Sequence, residues 1–397
     1  MRRRAFVHLA AFFLSSLAFV PSAFAADDVR VSDPIVHDNL AIYLLRGTAT
    51  DRAVPVTLQE ALAKGSVKVD ETGSVNELTV ENLGAEEVFV QAGDIVKGGR
   101  QDRVLSVDLL LPPRSGRVSI AAFCVEHGRW SGRANENAAS FSSASSAMPS
   151  QEAKLAMRAY ADAAAASTPS ATAPAMAPAH PPAYAGADTG SSQQTIWSTV
   201  KKVQERLSRS VGAQVAAPAS PSSLQLSLEN EKLKQAQAAY IKALQDAGEA
   251  GTDVVGYVYA INGKIDGGDV YASNALFRKM WRKQLAVNVI EAISKKDAAP
   301  AAAPSAKEAQ AFLVTAETGA KTERAVNGHV RLATLDGDVS LYAETRRSDG
   351  SWVPPKTRGG AMPARLLSAT AYFRSASIFC LSASRPTAPI TTSSPTT

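Results

Sequence analysis

Short apolar segments, several of them alternating with polar residues, follow one another between residues 40 and 130, and this pattern predicts β-strands joined by tight turns. The predicted strands cover 40–46, 78–81, 87–91, 104–111 and 116–125. In the segment 104–111 the alternation predicts one continuous strand with Val107 and Asp108 on opposite faces. The close spacing of these strands favours an antiparallel sheet or a small sandwich.

Helical periodicity interrupts the strands once and dominates after residue 190. Thr57, followed by Glu60 three positions later, is a capping-box pattern that predicts a short helix ending near Gly65. Further helices are predicted over 151–161, 196–207, 229–246, 274–294 and 307–315. The helix 274–294 carries an apolar stripe that we interpret as core, formed by Phe277, Trp281, Leu285, Val289 and Ile293.

Two β-hairpins are predicted in the second half of the chain. Their strands cover 254–261 and 264–271, and 329–334 and 339–345. The pairs Asn262-Gly263 and Asp336-Gly337 connect them and are typical of two-residue hairpin turns. The whole pattern predicts an α+β fold: an antiparallel sheet or small sandwich followed by helices and a β-hairpin, with a small C-terminal β appendage.

Changes in composition divide the chain into segments. The main domain is predicted over 26–296 and is interrupted at 164–190 by an Ala/Pro-rich insertion, which lacks the residues for a core and is expected to be disordered. An Ala/Pro linker follows over 297–306, and the appendage covers 307–351. The tail 352–397 holds no acidic residue and ends in Pro, Thr and Ser, so it too is expected to be disordered.

The first 25 residues have the three parts of a secretory signal peptide. Residues 2–4 are arginines, an apolar stretch covers 5–20, and cleavage is predicted after Ala25. We therefore expect export to a bacterial periplasm or secretion, with no stable membrane anchor after cleavage. The alternative is an uncleaved anchor, but the apolar stretch is short for a membrane span.

The net charge of +5 does not describe the folded body of the protein. It includes the three arginines of residues 2–4 and five basic residues after Ser351, and neither terminal segment holds an acid, so residues 26–351 carry a net charge of −3. A slightly acidic body argues against nucleic acid as a partner.

The cysteines and histidines indicate no metal site. The chain has two cysteines, Cys124 and Cys380, and five scattered histidines without metal-ligand spacing. We interpret Cys124 as a small buried residue at a strand end. The alternative, a nucleophile paired with His127, requires the chain to bend first, because a continuous strand would point these side chains to opposite faces.

Glycines and charged residues are concentrated in the sequence GDIVKGGRQDR. Lys97 and Arg103 are candidates to hold a phosphate or carboxylate, and Gly98 would let the backbone approach the ligand closely. Asp94 is a candidate to orient these cations or to act in catalysis. The alternative is a turn whose charges are solvated or paired with one another.

A second motif, CVEHGRW, follows the last predicted strand of this group. Glu126 is the candidate acid or base for catalysis, and His127 is a candidate ligand-binding residue. Arg129 and Trp130 are candidates to hold an anion or to stack on a ring. The alternatives are a structural, hydrogen-bonded His127 and a Trp130 that covers the core.

The order of these segments resembles a bacterial family, the ARG and rhodanese-phosphatase-superfamily-associated protein domain. The resembling segments are NLAIYLL (39–45), TLQEALAKGSVKV (57–69), ELTVEN (77–82), GDIVKGGRQDRVL (93–105), CVEHGRW (124–130), the pair Gln194 and Trp197, and the sequence from 254 to 285. The resemblance implies a link to ADP-ribose or NAD-derived nucleotides, but only through the association in the family name.

The polar motif positions of the family fall on particular residues of this chain. They are Asp94, Lys97, Gly98, Gln101, Arg103, Glu126, Gly128, Arg129 and Trp130. Asp102 stands where the resemblance leads us to expect asparagine, and His127 stands where glutamine is common. The sequence leaves the cofactor unknown.

Two classes of function follow from the sequence. In the first, these motifs form a pocket, with or without catalytic activity, for an anionic or nucleotide-like small molecule. In the second, the protein is a non-catalytic periplasmic structural or protein-interaction module with an unknown partner. Convergence on one cleft of Asp94, Lys97, Arg103, Glu126 and Arg129 would favour the first class, and their scattering to solvent would favour the second.

Overall fold

Three β-sheets and the helices packed on them make up the computed structural model. It describes residues 29–48, 53–133, 136–157, 189–296, 301–316, 320–325, 330–336, 341–347 and 352–359. The predicted signal peptide and most of the predicted insertion lie outside these residues. Among the described residues, no helix is both long and apolar enough to cross a membrane.

The elements confirm the predicted α+β class. The strands of the first half are β1 (Arg30–Val31), β2 (Ile35–His37), β3 (Leu40–Arg46), β4 (Val56–Thr57), β5 (Val67–Glu71), β6 (Glu77–Asn82), β7 (Val88–Val90), β8 (Asp94–Gly98), β9 (Arg103–Leu105), β10 (Leu109–Leu111), β11 (Gly116–Cys124) and β12 (Phe141–Ala147). Those that follow are β13 (Val254–Ile261), β14 (Lys264–Val270), β15 (Ala320–Ala325), β16 (Val330–Asp336), β17 (Leu341–Arg347) and β18 (Trp352–Gly359). The helices are α1 (Leu58–Ala63), α2 (151–157), α3 (Thr189–Val211), α4 (Leu224–Leu228), α5 (Glu231–Glu249), α6 (Asn274–Ser294) and α7 (Ala306–Ala316).

The largest sheet has the strand order β1-β3-β13-β14-β18-β17-β16-β15, and β2 also pairs with β3. The predicted hairpin turn between β13 and β14 is confirmed, with positive φ angles of 50° at Asn262 and 71° at Gly263. The strand β3 is buried on both faces, because Tyr43 packs in a cluster with α7 and Ile42 packs in a cluster with α6. Burial on both faces explains why its sequence is continuously apolar.

Helix α6 confirms the predicted core stripe. The stripe residues Phe277, Trp281, Leu285, Val289 and Ile293 are all buried. The indole N–H of Trp281 donates to the carbonyl oxygen of Gln245 in α5 at 2.7 Å. Gly248 permits this close packing, since a Cβ there would lie 2.1 Å from the indole of Trp281.

The two smaller sheets have the strand orders β12-β8-β9-β11-β6-β5 and β10-β7-β4. The prediction of one continuous strand over 104–111 is wrong, because the chain pairs with β8 and β11 as β9 and then with β7 as β10. Ser106 and Asp108 lie at this break and are fully buried. The Ser106 hydroxyl donates to the Ala121 carbonyl at 3.0 Å, and the Asp108 carboxylate accepts from the Ala92 N–H at 2.8 Å. The side chains of Ser106 and Asp108 therefore form hydrogen bonds with the backbone inside the protein instead of facing solvent.

The strand β12 was not predicted, because its sequence FSSASSA has the composition of the low-complexity segment that follows. It pairs with β8, and the register shifts between Ser143 and Ala147. Burial recurs at every third residue along β12 instead of every second. The irregular register removes the alternation by which strands are predicted.

The C-terminal strands extend the largest sheet. The predicted hairpin is confirmed as the pair β16 and β17, and its turn lies outside the described residues. The expectation of a disordered tail is wrong for 352–359, because β18 pairs with both β14 and β17. The predicted appendage is thus joined to the main domain by strand pairing, while 360–397 lie outside the described residues.

Candidate functional site

The chain turns at the end of β8, where Gly98 and Gly99 have positive φ angles of 116° and 56°. Glycine adopts this conformation without steric cost. A Cβ at Gly99 would lie 2.3 Å from the ring of Phe141 and 2.8 Å from the carboxylate of Glu71. The N–H of Gly98 donates to the carboxylate of Asp102 at 3.0 Å. Both glycines therefore serve packing within the protein.

Four charged side chains, Asp102, Glu126, Arg129 and Arg133, lie next to this turn and form an ion network. Arg133 binds Asp102 through two contacts, Nη1 to Oδ2 at 2.9 Å and Nη2 to Oδ1 at 2.7 Å. Arg129 binds Glu126 through Nη2 and Oε2 at 2.7 Å. Both carboxylates are fully buried, and each arginine side chain is only 11% exposed. The carboxylates of the ion network are thus paired and shielded from solvent, and its guanidinium groups are largely buried.

Two serines preceding α4 complete the ion network. The Ser223 hydroxyl donates to Oδ2 of Asp102 at 3.0 Å and caps α4 by accepting from the Leu226 N–H at 3.1 Å. The Ser220 hydroxyl donates to Oε1 of Glu126. The network thus joins three separate segments of the chain: the start of β9, the loop after β11 and the loop before α4.

Burial and pairing affect the two carboxyl groups differently. Burial raises the pKa of Asp102, and its bonds with Arg133 offset this only in part. Burial also opposes ionisation of Glu126, but hydrogen bonds from Arg129 and Ser220 outweigh it and lower the pKa of Glu126. A general acid at neutral pH needs a raised pKa, so the environment of Glu126 does not favour that role.

Arg103 is also fully buried, behind the turn. Its Nη1 lies 2.8 Å from Sγ of Cys124, and its Nη2 lies 3.5 Å from the carboxylate of Glu71. The side-chain amide of Gln193 holds the backbone of Cys124 through two hydrogen bonds of 2.9 Å. Burial raises the pKa of Cys124 to about 12. A sealed, protonated thiol is a poor nucleophile, and this favours the interpretation of Cys124 as a buried structural residue.

Trp130 covers this region from outside and is 44% exposed. The guanidinium carbons of Arg100 and Arg103 lie 5.3 Å and 5.6 Å from the centre of its ring. These are cation–π contacts, in which the ring is occupied by cations of the protein itself.

The remaining charged candidates of the first motif have partners on other elements. Asp94 is buried and lies 2.5 Å from Nζ of Lys283 in α6. Lys97 lies 2.9 Å from the carboxylate of Glu229, at the end of α4. Each pair attaches β8 to the helical part of the protein. The candidates therefore do not converge with Arg103 on one cleft.

An open cleft of ≈ 530 Å³ lies beside the ion network, between α3 and the loop before α4. His127 and Trp197 form part of its wall, with ring centroids 4.4 Å apart at an interplanar angle of 87°. The Trp197 indole N–H donates to the Glu126 carbonyl at 3.2 Å, and the Ser222 hydroxyl donates to the His127 carbonyl at 2.6 Å. Other polar side chains of the lining are Gln194, Ser198, Lys201, Gln204, Glu205 and Gln214.

Of the residues that the sequence proposed for a site, all of which the structure describes, His127 alone lines this cleft. Gln194 and Trp197 were indicated only as a pair in the family resemblance. Lys201 gave no signal, because exposed lysines are ordinary on an amphipathic helix. No role was predicted for Arg133, because its neighbours in the sequence are polar, although it lies four residues after Arg129.

Within the part of the chain that the structure describes, no three His, Cys, Asp or Glu side chains form a group that could hold a metal ion. The cleft instead offers aromatic rings, amides, hydroxyls and one lysine.

The fold and the site define an α+β protein in which a sealed ion network supports a polar, partly aromatic cleft. The family model of the ARG and Rhodanese-Phosphatase-superfamily-associated Protein domain matches residues 28–354, and the chain belongs to this family. The resemblance read from the sequence is thereby confirmed. Neither a curated protein nor a solved structure matches the chain.

Proposed function

We propose that this is an exported protein, periplasmic or secreted, that binds a nucleotide-like small molecule in the cleft beside His127. The supporting observation is the cleft, whose volume of ≈ 530 Å³ lies within the roughly 300–1,000 Å³ of small-molecule sites. The rings of His127 and Trp197 suit a flat base. Lys201 supplies a positive charge for an anionic group, and within the described residues its ion pair is a 4.0 Å contact with Glu205, which also lines the cleft.

The ion network supports the binding site in this proposal. It fixes the backbone of Glu126, whose carbonyl oxygen holds the indole of Trp197. The predicted catalytic roles of Glu126 and Asp94 stay predictions, and neither side chain lines the cleft. Binding without an assigned reaction is therefore the activity that we propose.

A second candidate function is the non-catalytic interaction module. The observation that favours it is the pairing of Asp94 with Lys283 and of Lys97 with Glu229, which matches the alternative of paired charges for the first motif. In that case the cleft would accept no small molecule, and the motifs would serve stability alone.

A thermal-shift and calorimetric screen tests the proposal. The probes are ADP-ribose, NAD, AMP, adenosine and inorganic phosphate, added to the full chain without the predicted signal peptide. A molecule that binds the folded state selectively raises the melting temperature. We expect the nucleotides to raise it more than adenosine or phosphate alone, because the cleft offers both a ring surface and a cation.

Matched variants locate the binding. Lys201→Ala removes the cation of the cleft, and Lys202→Ala removes an equally exposed neighbour that does not line it. We expect Lys201→Ala and Trp197→Ala to weaken nucleotide binding and Lys202→Ala to leave it unchanged. Absence of binding by any probe to folded protein, shown by a cooperative melt, would favour the interaction module.

A further inference from the structure

A second depression, of ≈ 670 Å³, lies where the end of α3, the β13–β14 turn and the end of α6 meet. We call it the cationic groove. Its charged lining consists of Arg206, Arg209, Lys264, Lys295, Lys296 and Asp266. None of these residues lines the cleft of the proposed function, and Arg206 and Arg209 occupy the other side of α3.

Two of the five cations are already paired. Lys295 lies 2.5 Å from Asp266 and 2.9 Å from Glu291, and Lys296 binds Asp38. These pairs place acidic partners close to both ammonium groups.

The other three cations, Arg206, Arg209 and Lys264, are exposed. Within the described residues they form neither an ion pair nor a side-chain hydrogen bond. The C-terminal ends of α3 and α6 each contribute about half a negative charge to this region. Lys295 together with Asp266 and Glu291 leaves one negative charge, while Lys296 and Asp38 cancel. Against the three positive charges of Arg206, Arg209 and Lys264 this leaves the cationic groove with a net charge of about +1 once the helix ends are included.

The backbone that carries Lys264 is held rigidly. The side chain of Asn262 donates to the Lys295 carbonyl at 2.6 Å and accepts from the amide of Asn39 at 3.0 Å. The next residue, Gly263, packs so closely that a Cβ there would lie 2.7 Å from the Ala302 carbonyl oxygen. A cation next to a fixed turn loses less conformational freedom when a ligand binds.

We propose that the cationic groove binds a small soluble molecule with a diphosphate or an equivalent pair of phosphate groups. Guanidinium groups bind phosphate oxygens through two parallel hydrogen bonds, and Arg206 and Arg209 both line the groove. Lys264 faces the same space from the hairpin and supplies a third positive charge. The groove is large enough for a small molecule, and its three exposed cations can bind more than one anionic group.

Calorimetric titration of the full chain with inorganic pyrophosphate at fixed ionic strength tests whether the cationic groove binds a diphosphate. We expect binding that weakens about tenfold or more in Arg206→Ala/Arg209→Ala, since each lost charge-assisted hydrogen bond contributes substantially. Arg206→Lys/Arg209→Lys keeps the charge and should retain part of the affinity. Arg278→Ala, an exposed arginine on α6 outside the groove, should bind as the wild type does.

Several outcomes would overturn the proposal: no pyrophosphate binding by the folded wild type, equal weakening in Arg278→Ala, or binding unaffected by the double alanine variant. Sedimentation with phosphatidylglycerol/phosphatidylcholine vesicles separates the sources of phosphate. Vesicle binding without pyrophosphate binding would indicate a lipid surface and contradict the soluble ligand. Lys201→Ala should leave pyrophosphate binding at the groove unchanged. A negative result for the groove is therefore distinguishable from a negative result for nucleotide binding in the proposed cleft.

Discussion

The ion network and the cationic groove are both rich in arginine or lysine, but they use these side chains in opposite ways. In the ion network, Arg129 and Arg133 are 11% exposed and bind fully buried carboxylates. In the groove, Arg206 and Arg209 are exposed and hold no acidic partner among the described residues. The arginines of the ion network thus have their donors engaged by buried carboxylates, while the arginines of the groove keep their donors exposed.

The physical reason lies in the cost of burying charge. A buried guanidinium that loses its hydration must be compensated by carboxylates and hydrogen bonds inside the protein, and these occupy the donors that a ligand would need. An exposed guanidinium keeps its water and can exchange it for phosphate oxygens. Pairing and burial, more than local sequence, separate a stabilising charge from a binding charge.

The largest expected effect comes from Asp102→Ala, which removes the fully buried one of the two carboxylates that bind Arg133 through two contacts each, the other being Glu136. It leaves a guanidinium in a largely buried position with less compensation, and we expect a loss of about 3–5 kcal/mol in the free energy of unfolding. Urea denaturation followed by circular dichroism measures it. Asp102→Asn keeps the shape and part of the hydrogen bonding and should lose less. A loss below about 1 kcal/mol in the alanine variant would show that the network is not sealed.

A smaller loss is expected from Gly99→Ala. The new Cβ would meet the Phe141 ring at 2.3 Å in a backbone with φ of 56°, so strain and overpacking should together lower stability by about 3 kcal/mol. Gly128→Ala is the matched control, because Gly128 has φ of 86° but nothing within 4 Å of a Cβ. We expect the control to lose about 1 kcal/mol. Equal melting temperatures for the two variants would contradict close packing at the turn.

The ion network should also make stability depend on pH through Glu126. Its pKa is lowered from the ordinary 4.5 in the folded state, so its ionised form stabilises the fold above that pH. This contribution is lost as the pH falls below 4.5 and through the folded-state value. The stability difference between wild type and Glu126→Gln should therefore shrink on acidification from about pH 7 to about pH 3, measured by urea unfolding. A difference independent of pH would mean that the carboxylate is not held in its charged form.

The smallest effect is expected from Arg209→Ala in the cationic groove. Because the guanidinium is exposed and has no acidic partner among the described residues, its removal should change the free energy of unfolding by no more than about 0.5 kcal/mol. The melting temperature of Arg209→Ala, measured together with that of Asp102→Ala, provides the comparison. A large loss would place Arg209 in a structural role and remove the contrast between the two regions.

Local sequence signals predicted much of the fold. The capping box of Thr57 and Glu60 is present at the start of α1, and α6 spans the predicted 274–294. The break at Ser106–Asp108 and the strand β12 were not predicted, because both depend on pairing with distant segments. An alternating pattern of apolar and polar residues predicts a regular, half-buried strand. This prediction fails where a strand changes sheets or contains a bulge.

The candidate site was predicted less well than the fold. The sequence indicated a site around Arg103 and Glu126, but it did not show that their charges are paired inside the protein. The partners Ser220 and Ser223 lie almost a hundred residues or more along the chain from the groups they bind. Hydrogen bonds between such distant residues leave no periodic or short-range pattern in the sequence.

By itself, the sequence determined the α+β class, the positions of most elements and the family, because these follow from apolar periodicity, caps, turn residues and ordered motifs. Only the tertiary structure decided which charges are buried in pairs and which remain free. It also decided that His127 meets Trp197 at a cleft, while Glu126, one residue before His127, is sealed. The reason is that burial and ion pairing are set by contacts between distant segments, which local sequence does not encode.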